Sequence, residues 1–232
     1  MIKYNLNINA SAKKEENHIL GKSEIAKEIL EITAKTALSA IPIGGALMTC
    51  VWDSIKNNSV EKRLMEWRNL VEERLNILQC SLEEIGSNEN FASAIMKTTE
   101  IAIKTAEFKK REYLANAVKN SIETNVNESI MMIYIRMLDE YTTMHIKILA
   151  YFANPQKYVD NCEYCMASAM EPLVKAYPEM NDYQDLIGKI VKDLQQDGLL
   201  TTGSYMNSTM TQNGMYAKRT TTLGDNFLKF IG

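Results

Sequence analysis

The sequence predicts a mainly α fold: an antiparallel helical bundle over residues 23–135, then a small winged-helix-like α+β module over 136–232, with 1–22 as a polar tail. Three observations predict it. Apolar residues recur every three or four positions through 60–85, 91–122 and 130–149, the period of a helix with one buried face. The composition then changes, because 199–205 and 215–222 are rich in Thr, Tyr and small residues, as strands are. Finally, 232 residues with 46% hydrophobic and 24% charged side chains suffice for one or two cores.

Ser23 is placed to cap a first helix with Ile25, Ile29, Ile32, Thr36 and Leu38 inward. That helix ends near Ala40, because Pro42 removes a backbone donor and obstructs the preceding turn. Gly44 and Gly45 make 41–45 the corner of a helical hairpin, whose second arm carries Leu47, Met48, Val51, Trp52 and Ile55. Ser59 caps the clearest helix, in which Val60, Leu64, Trp67, Val71, Leu75, Leu78, Leu82 and Ile85 form one stripe over about seven turns.

After Gly86 and Ser87, Asn88 or Asn90 opens one long or kinked helix through Phe91, Ile95, Thr98, Ile101, Ala102, Thr105, Phe108, Leu114, Val118 and Ile122. Another helix spans 129–152, through Ile130, Ile133, Tyr134, Met137, Leu138, Tyr141, Ile148 and Leu149. Beyond Pro155 the units shorten to a helix over 162–177, a turn at Pro178, and a helix over 183–196 with Leu186, Ile187, Ile190, Val191 and Leu194 inward. Two strands, 199–205 and 215–222, flank the loop 206–214, and 225–231 makes a last helical turn or two. Helix, helix, helix, hairpin, helix is the order of a winged helix, a member of the helix-turn-helix class.

Four motifs carry a resemblance. They are Ile41-Pro42-x-Gly44-Gly45, Glu61-Lys62-Arg63-x-x-Glu66-Trp67, His145-Ile146-Lys147-Ile148-Leu149 leading to Asn154-Pro155, and Thr222-Leu223-Gly224-x-x-Phe227-Leu228-x-Phe230-Ile231. In this order, over residues 25–232, the chain resembles a family of uncharacterised bacterial proteins. The resemblance implies a helical body, a winged-helix-like C-terminal region, a bacterial origin and a role in a defence or regulatory system, and it brings no catalytic residue to transfer.

Composition and spacing exclude several chemistries. The four cysteines are too scattered for a disulfide framework, which points to the reducing cytoplasm. Lys13, Lys14, Glu15 and Glu16 occupy the place where a secretion signal needs an apolar core. The longest uncharged run, 36–52, has seventeen residues broken by Pro42, Gly44 and Gly45, whereas a spanning helix needs about 20; no stable membrane span is expected. Cys162-Glu163-Tyr164-Cys165 has zinc-ligand spacing but no second pair, so packing is the expected role and no metal is assigned.

Of two histidines, His18 sits in the tail and His145 on a helix without a nucleophile elbow, which leaves no Ser/His/Asp site. Arg136 and His145 are separated by eight residues, too many for the Arg-x4-6-His arrangement of helical nucleases. Gly21-Lys22-Ser23 ends like a phosphate-binding loop, but Glu16 stands where the first glycine should be. Adjacent acids such as Glu72 with Glu73 diverge by about 100° on a helix and read as solvated faces. The run Lys109-Lys110-Arg111 reads as hydrated surface in the same way. No catalytic residue and no cofactor are expected.

Charge bears on nucleic acid. The formal net charge is −3, and the expected recognition helix, 182–197, carries Asp182, Asp185, Asp193 and Asp197 against Lys189 and Lys192. That sign opposes the groove, and the module 136–232 has nine basic against eleven acidic residues. The expectation is therefore a non-enzymatic protein-interaction or regulatory protein, whose body is a scaffold and whose C-terminal module docks a protein partner or a second copy. Met206, Met210, Met215, Lys218, Arg219, Lys189 and Lys192 are the expected surface, since methionine suits adaptable apolar contacts. Two alternatives stand beside it: a DNA-binding transcriptional regulator, disfavoured by the acidic helix, and a membrane-active effector using the hairpin 34–55.

Overall fold

The computed structural model describes residues 59–78, 85, 88–124, 126–158 and 166–232. The first helix, the corner 41–45, the hairpin 34–55 and the pair Cys162 and Cys165 lie outside the described residues. The described residues are mainly helical, with one two-stranded antiparallel sheet. They divide into two compact units, one running to Glu140 and the other from Tyr141 to Phe230. Among the described residues no helix is long and apolar enough to cross a membrane.

Among the described residues the first unit contains α1 (Glu61–Asn76), α2 (Glu89–Lys104), α3 (Phe108–Glu123) and α4 (Glu128–Glu140). Ser59 does not cap α1. It and Val60 already lie in a π-helical turn, and Val60 has right-handed helical φ and ψ of −73° and −42° with no side-chain cap. Asn88 does cap α2, its side-chain oxygen accepting the Phe91 N–H at 3.0 Å. Trp67, Val71 and Leu75 of α1 and Phe91, Ile95, Thr98, Ile101 and Ala102 of α2 are buried. The two helices run antiparallel, since Arg63 reaches Ile103 while Trp67 reaches Thr99.

The one long or kinked helix expected over 88–122 is two separate helices. Thr105 and Glu107 are extended, with ψ of 136° and 109°, and the chain turns between α2 and α3. Ending a helix strands its last carbonyls, and here arginines satisfy them. Arg63 Nη1 donates to Ile103 O at 3.2 Å and Lys104 O at 3.3 Å, and Arg111 Nη1 donates to Thr105 O at 2.9 Å. Arg111 Nη2 pairs with Glu66 of α1.

Lys110 and Arg111, expected on the hydrated surface, are only 7% and 3% exposed. Lys110 Nζ donates to Asp139 O, in the last turn of α4, at 2.8 Å. Burial pushes the Lys110 pKa below the ordinary lysine value, partly offset by Asp139 and Glu107. The helix expected over 129–152 is likewise two. It breaks at Tyr141 and Thr142, where Thr142 is extended at ψ 166°.

In the second unit, α5 (Thr143–Ala153) leads through a 3-10 turn (Pro155–Lys157) to strand β1 (Met166–Ala167) and α6 (Met170–Ala176). A second 3-10 segment (Pro178–Tyr183) feeds α7 (Gln184–Gln196), then come β2 (Met210–Thr211), α8 (Gln212–Met215) and α9 (Thr222–Ile231). The core holds Tyr151, Phe152, Leu173, Ile187, Ile190, Leu194, Leu199 and Phe227. Leu186, expected inward, is 43% exposed, because the buried stripe of α7 starts one residue later at Ile187.

The expected hairpin of 199–205 with 215–222 shrinks to one antiparallel bridge, Leu200 with Thr220, flanked by Thr201 N–H to Arg219 O and Thr221 N–H to Leu199 O. The sheet forms elsewhere: Met166 faces Thr211 and Ala167 faces Met210. Met166 and Ala167 are thus strand where helix is expected, and the expected loop contains β2 and α8.

Two glycines fix the corner between α7 and α9. Gly198, at φ 73°, takes the left-handed position that ends a helix, and the Leu199 and Gly198 N–H groups close back on Leu194 O and Gln195 O. At Gly224 a Cβ would fall 2.3 Å from Leu199 O. The Thr221 hydroxyl accepts the Gly224 N–H at 3.1 Å and donates to Gly198 O at 2.6 Å.

Candidate functional site

An open groove of about 660 Å³ lies in the second unit, between β1, α6, the start of α7 and the segment 206–209. Its walls are set by backbone bonds. The β1–β2 pairing holds Met166 and Ala167, the Ala169 N–H donates to Tyr205 O at 3.0 Å, and the Ser168 hydroxyl accepts the Met170 N–H at 3.2 Å. Tyr205 is itself anchored, its ring against Phe152 at 5.6 Å and under the Arg219 guanidinium at 4.8 Å. Met206 follows it and is therefore a fixed floor, 7% exposed. Met170 is half-buried, and Met166 stands out at 65% exposure. Glu171 and Asp185, both exposed, line the same groove, whose lining contains no Lys, Arg or His among the described residues.

Of the seven residues expected on the interaction surface, only Met206 lines this groove. Met206 and Met215 are buried, and Met210 is half-buried against the Arg219 guanidinium at 3.5 Å. Arg219 also donates to Gly214 O at 2.8 Å, so it braces its own loop. Lys218 pairs with Asp225 at 2.5 Å, and the Thr220 hydroxyl donates to the same carboxylate. Those two bonds hold the Asp225 carboxyl below the usual range. Lys189 pairs with Asp193 at 2.7 Å on α7, while Lys192 is exposed on that helix.

His145 sits in the first turn of α5. Its Nδ1 accepts the Thr142 N–H at 3.3 Å and lies 2.9 Å from the Thr142 hydroxyl. In the neutral ring the proton then sits on Nε2, which faces Asp193 Oδ2 at 3.8 Å. The ring stacks on Tyr141 at 5.1 Å, and the Tyr141 hydroxyl donates to Asp197 at 2.5 Å. Hydroxyl, imidazole and carboxylate stand in the order of a hydrolytic triad. However, Thr142 and His145 meet as the i and i+3 partners of a helix start, and 3.8 Å exceeds a hydrogen bond. The constellation fastens α5 to α7.

Among the described residues no group of three His, Cys, Asp or Glu side chains stands ready for a metal ion. Sequence reasoning missed Glu171 entirely and took Asp185 for an acid on a recognition helix. In the sequence the one signal for the groove is the concentration of methionines in the second half of the chain, Met166, Met170 and Met206 among them. Comparison of the chain with protein-family models, with curated proteins and with solved structures finds no match.

Proposed function

We propose that this is a non-enzymatic protein-interaction or regulatory protein, with the helical unit as scaffold and the C-terminal unit as a winged-helix-like docking module. The carrying observation is the groove, where three methionines at graded depth line an open surface on rigid supports. Unbranched thioether side chains adapt to a partner's apolar residues at small cost. The order α5, α6, α7, bridge, α9 supports the winged-helix reading, with a wing reduced to one rung.

A DNA-binding regulator is the second reading, favoured by one feature. As bounded, α7 carries two aspartates and two lysines, because Asp182 precedes it and Asp197, which follows it, takes the Tyr141 hydroxyl. Against that reading, Lys189 and Lys218 are already paired and Arg219 faces its own loop.

Photo-crosslinking from position 166, with a photoreactive methionine analogue in the full chain, tests the first reading. The expected product is an adduct with another polypeptide or a second copy, and purely intramolecular products would overturn it. A polarisation titration with random duplex DNA at two salt concentrations tests the second. Phosphate contacts would give a steep salt slope, and a flat or absent response removes DNA.

A further inference from the structure

We propose that the groove takes a short amphipathic segment of a partner protein, whose apolar residues enter between the methionines and whose lysines or arginines meet Glu171 and Asp185. This deepens the interaction reading above and rests on it. The argument is one of complementarity. Met206 forms the floor at 7% exposure, Met170 is half-buried and Met166 stands at the edge at 65%, so an apolar side chain finds flexible thioether surface at every depth. A bare edge methionine of this kind gains most when it is covered.

The charge of the lining is one-sided. Glu171 and Asp185 are both exposed, and among the described residues no cation shares the groove with them and neither makes an ion pair. Elsewhere in this unit Glu179 holds Lys147, Asp193 holds Lys189 and Asp225 holds Lys218. Of the described carboxylates in this unit that no lysine or arginine holds, Glu171 and Asp185 flank the same opening as the exposed methionine, while Asp182 and Asp197 lie outside it. A phosphate-bearing or acidic ligand would be repelled there, and a purely apolar one would leave both carboxylates to be desolvated beside it without a partner.

The test uses the intact chain and three fluorescein-labelled synthetic peptides on one leucine and alanine helical frame, carrying four Lys, four Glu or four Ser at the same positions. Polarisation should show the Lys peptide binding and the Glu peptide not binding. Glu171→Gln with Asp185→Asn should weaken the Lys peptide about fivefold and flatten its salt dependence, the size expected for two exposed pairs. Met166→Ser should weaken it as well, with unchanged melting temperatures because all three positions are exposed.

Lys-peptide binding indifferent to these substitutions would overturn the proposal. Equal binding of all three peptides that still depends on Met166 would also overturn it, while leaving the broader docking reading intact. If no peptide depends on Met166 and crosslinking from that position finds no partner, both readings fall together.

Discussion

The two units finish their helices by different means, and the difference separates charge spent on folding from charge left at the surface. In the helical unit the stranded carbonyls at the end of α2 and α4 are met by long cationic side chains, Arg63, Arg111 and Lys110, the last two buried. The C-terminal unit closes α7 by backbone geometry at Gly198 and caps the start of α9 with the Thr221 hydroxyl, and among the described residues only its short α8 has a carbonyl, Gly214 O, met by a cation, Arg219. Its lysines stay at the surface, where Lys147, Lys189 and Lys218 hold carboxylates. A cluster of basic residues therefore means structure in the first unit. In the second, Glu171 and Asp185, which no described lysine reaches, flank the groove proposed for docking.

The comparison breaks first at the core of the helical unit. Trp67 is fully buried, and its indole N–H donates to the Thr99 hydroxyl, which itself donates to Ile95 O. Trp67→Ala is expected to cost about 3–5 kcal/mol in urea denaturation, and Trp67→Phe less, since most of the ring volume remains. In the C-terminal unit the counterpart is a backbone contact. Gly224→Ala should destabilise by about 2–3 kcal/mol, because the new methyl group meets a carbonyl that can retreat only by moving α7 away from α9.

Arg111→Ala comes next, at about 2 kcal/mol. It strips Thr105 O of its donor and leaves Glu66 without its cation, although Glu66 is 30% exposed and water recovers part of the loss. Were Arg111 a phosphate contact, its removal would spare stability and weaken nucleic-acid binding instead.

What the sequence made legible follows from which physics is local. Helical spacing located the cores of α1, α2 and α7, because a 3.6-residue period survives whatever the helix packs against. In α4 it placed Tyr134, Met137 and Leu138 correctly but set Ile130 and Ile133 inward, which are 46% and 41% exposed, in place of the buried Met131 and Ile135. It did not locate the breaks at 105–107 and 141–142. The apolar stripe continues across both, and the extended residues are held by side chains from elsewhere in the chain, such as Arg111 on Thr105. The wing was misplaced for a related reason. Thr- and Tyr-rich segments favour strands, but Met210 and Thr211 pair with β1, which lies more than forty residues earlier. The groove was half visible: methionine clustering carried a signal, while the meeting of Glu171 with Asp185 is a product of tertiary structure alone.

The finest discriminator is the alkaline limb of the stability profile, where two buried groups, Tyr151 of the C-terminal unit and Lys110 of the helical unit, have opposite signs. Tyr151 is fully buried, its ring packed against Phe152, Tyr158 and Tyr177, and among the described residues its hydroxyl has no hydrogen-bond partner. Burial, with the nearby Tyr216 and Tyr177, pushes its pKa far above the ordinary tyrosine value of about 10. Below that value both states keep the proton and nothing changes. Above it the unfolded chain ionises while the folded one does not, so the folded state binds more protons and stability falls as pH rises. Lys110 works the other way: with its folded pKa depressed, the unfolded chain binds more protons just below the ordinary lysine value, and stability rises through that window. Tyr151→Phe should leave neutral-pH stability unchanged or raise it by up to about 1 kcal/mol, since the lost hydroxyl had no partner, and should flatten the fall above about pH 10. Lys110→Met should instead remove the rising limb. Urea titrations from pH 8 to 11 followed by tyrosinate absorbance would read both, and a Tyr151→Phe variant that falls as steeply as the parent would mean that this hydroxyl is solvated in the folded protein.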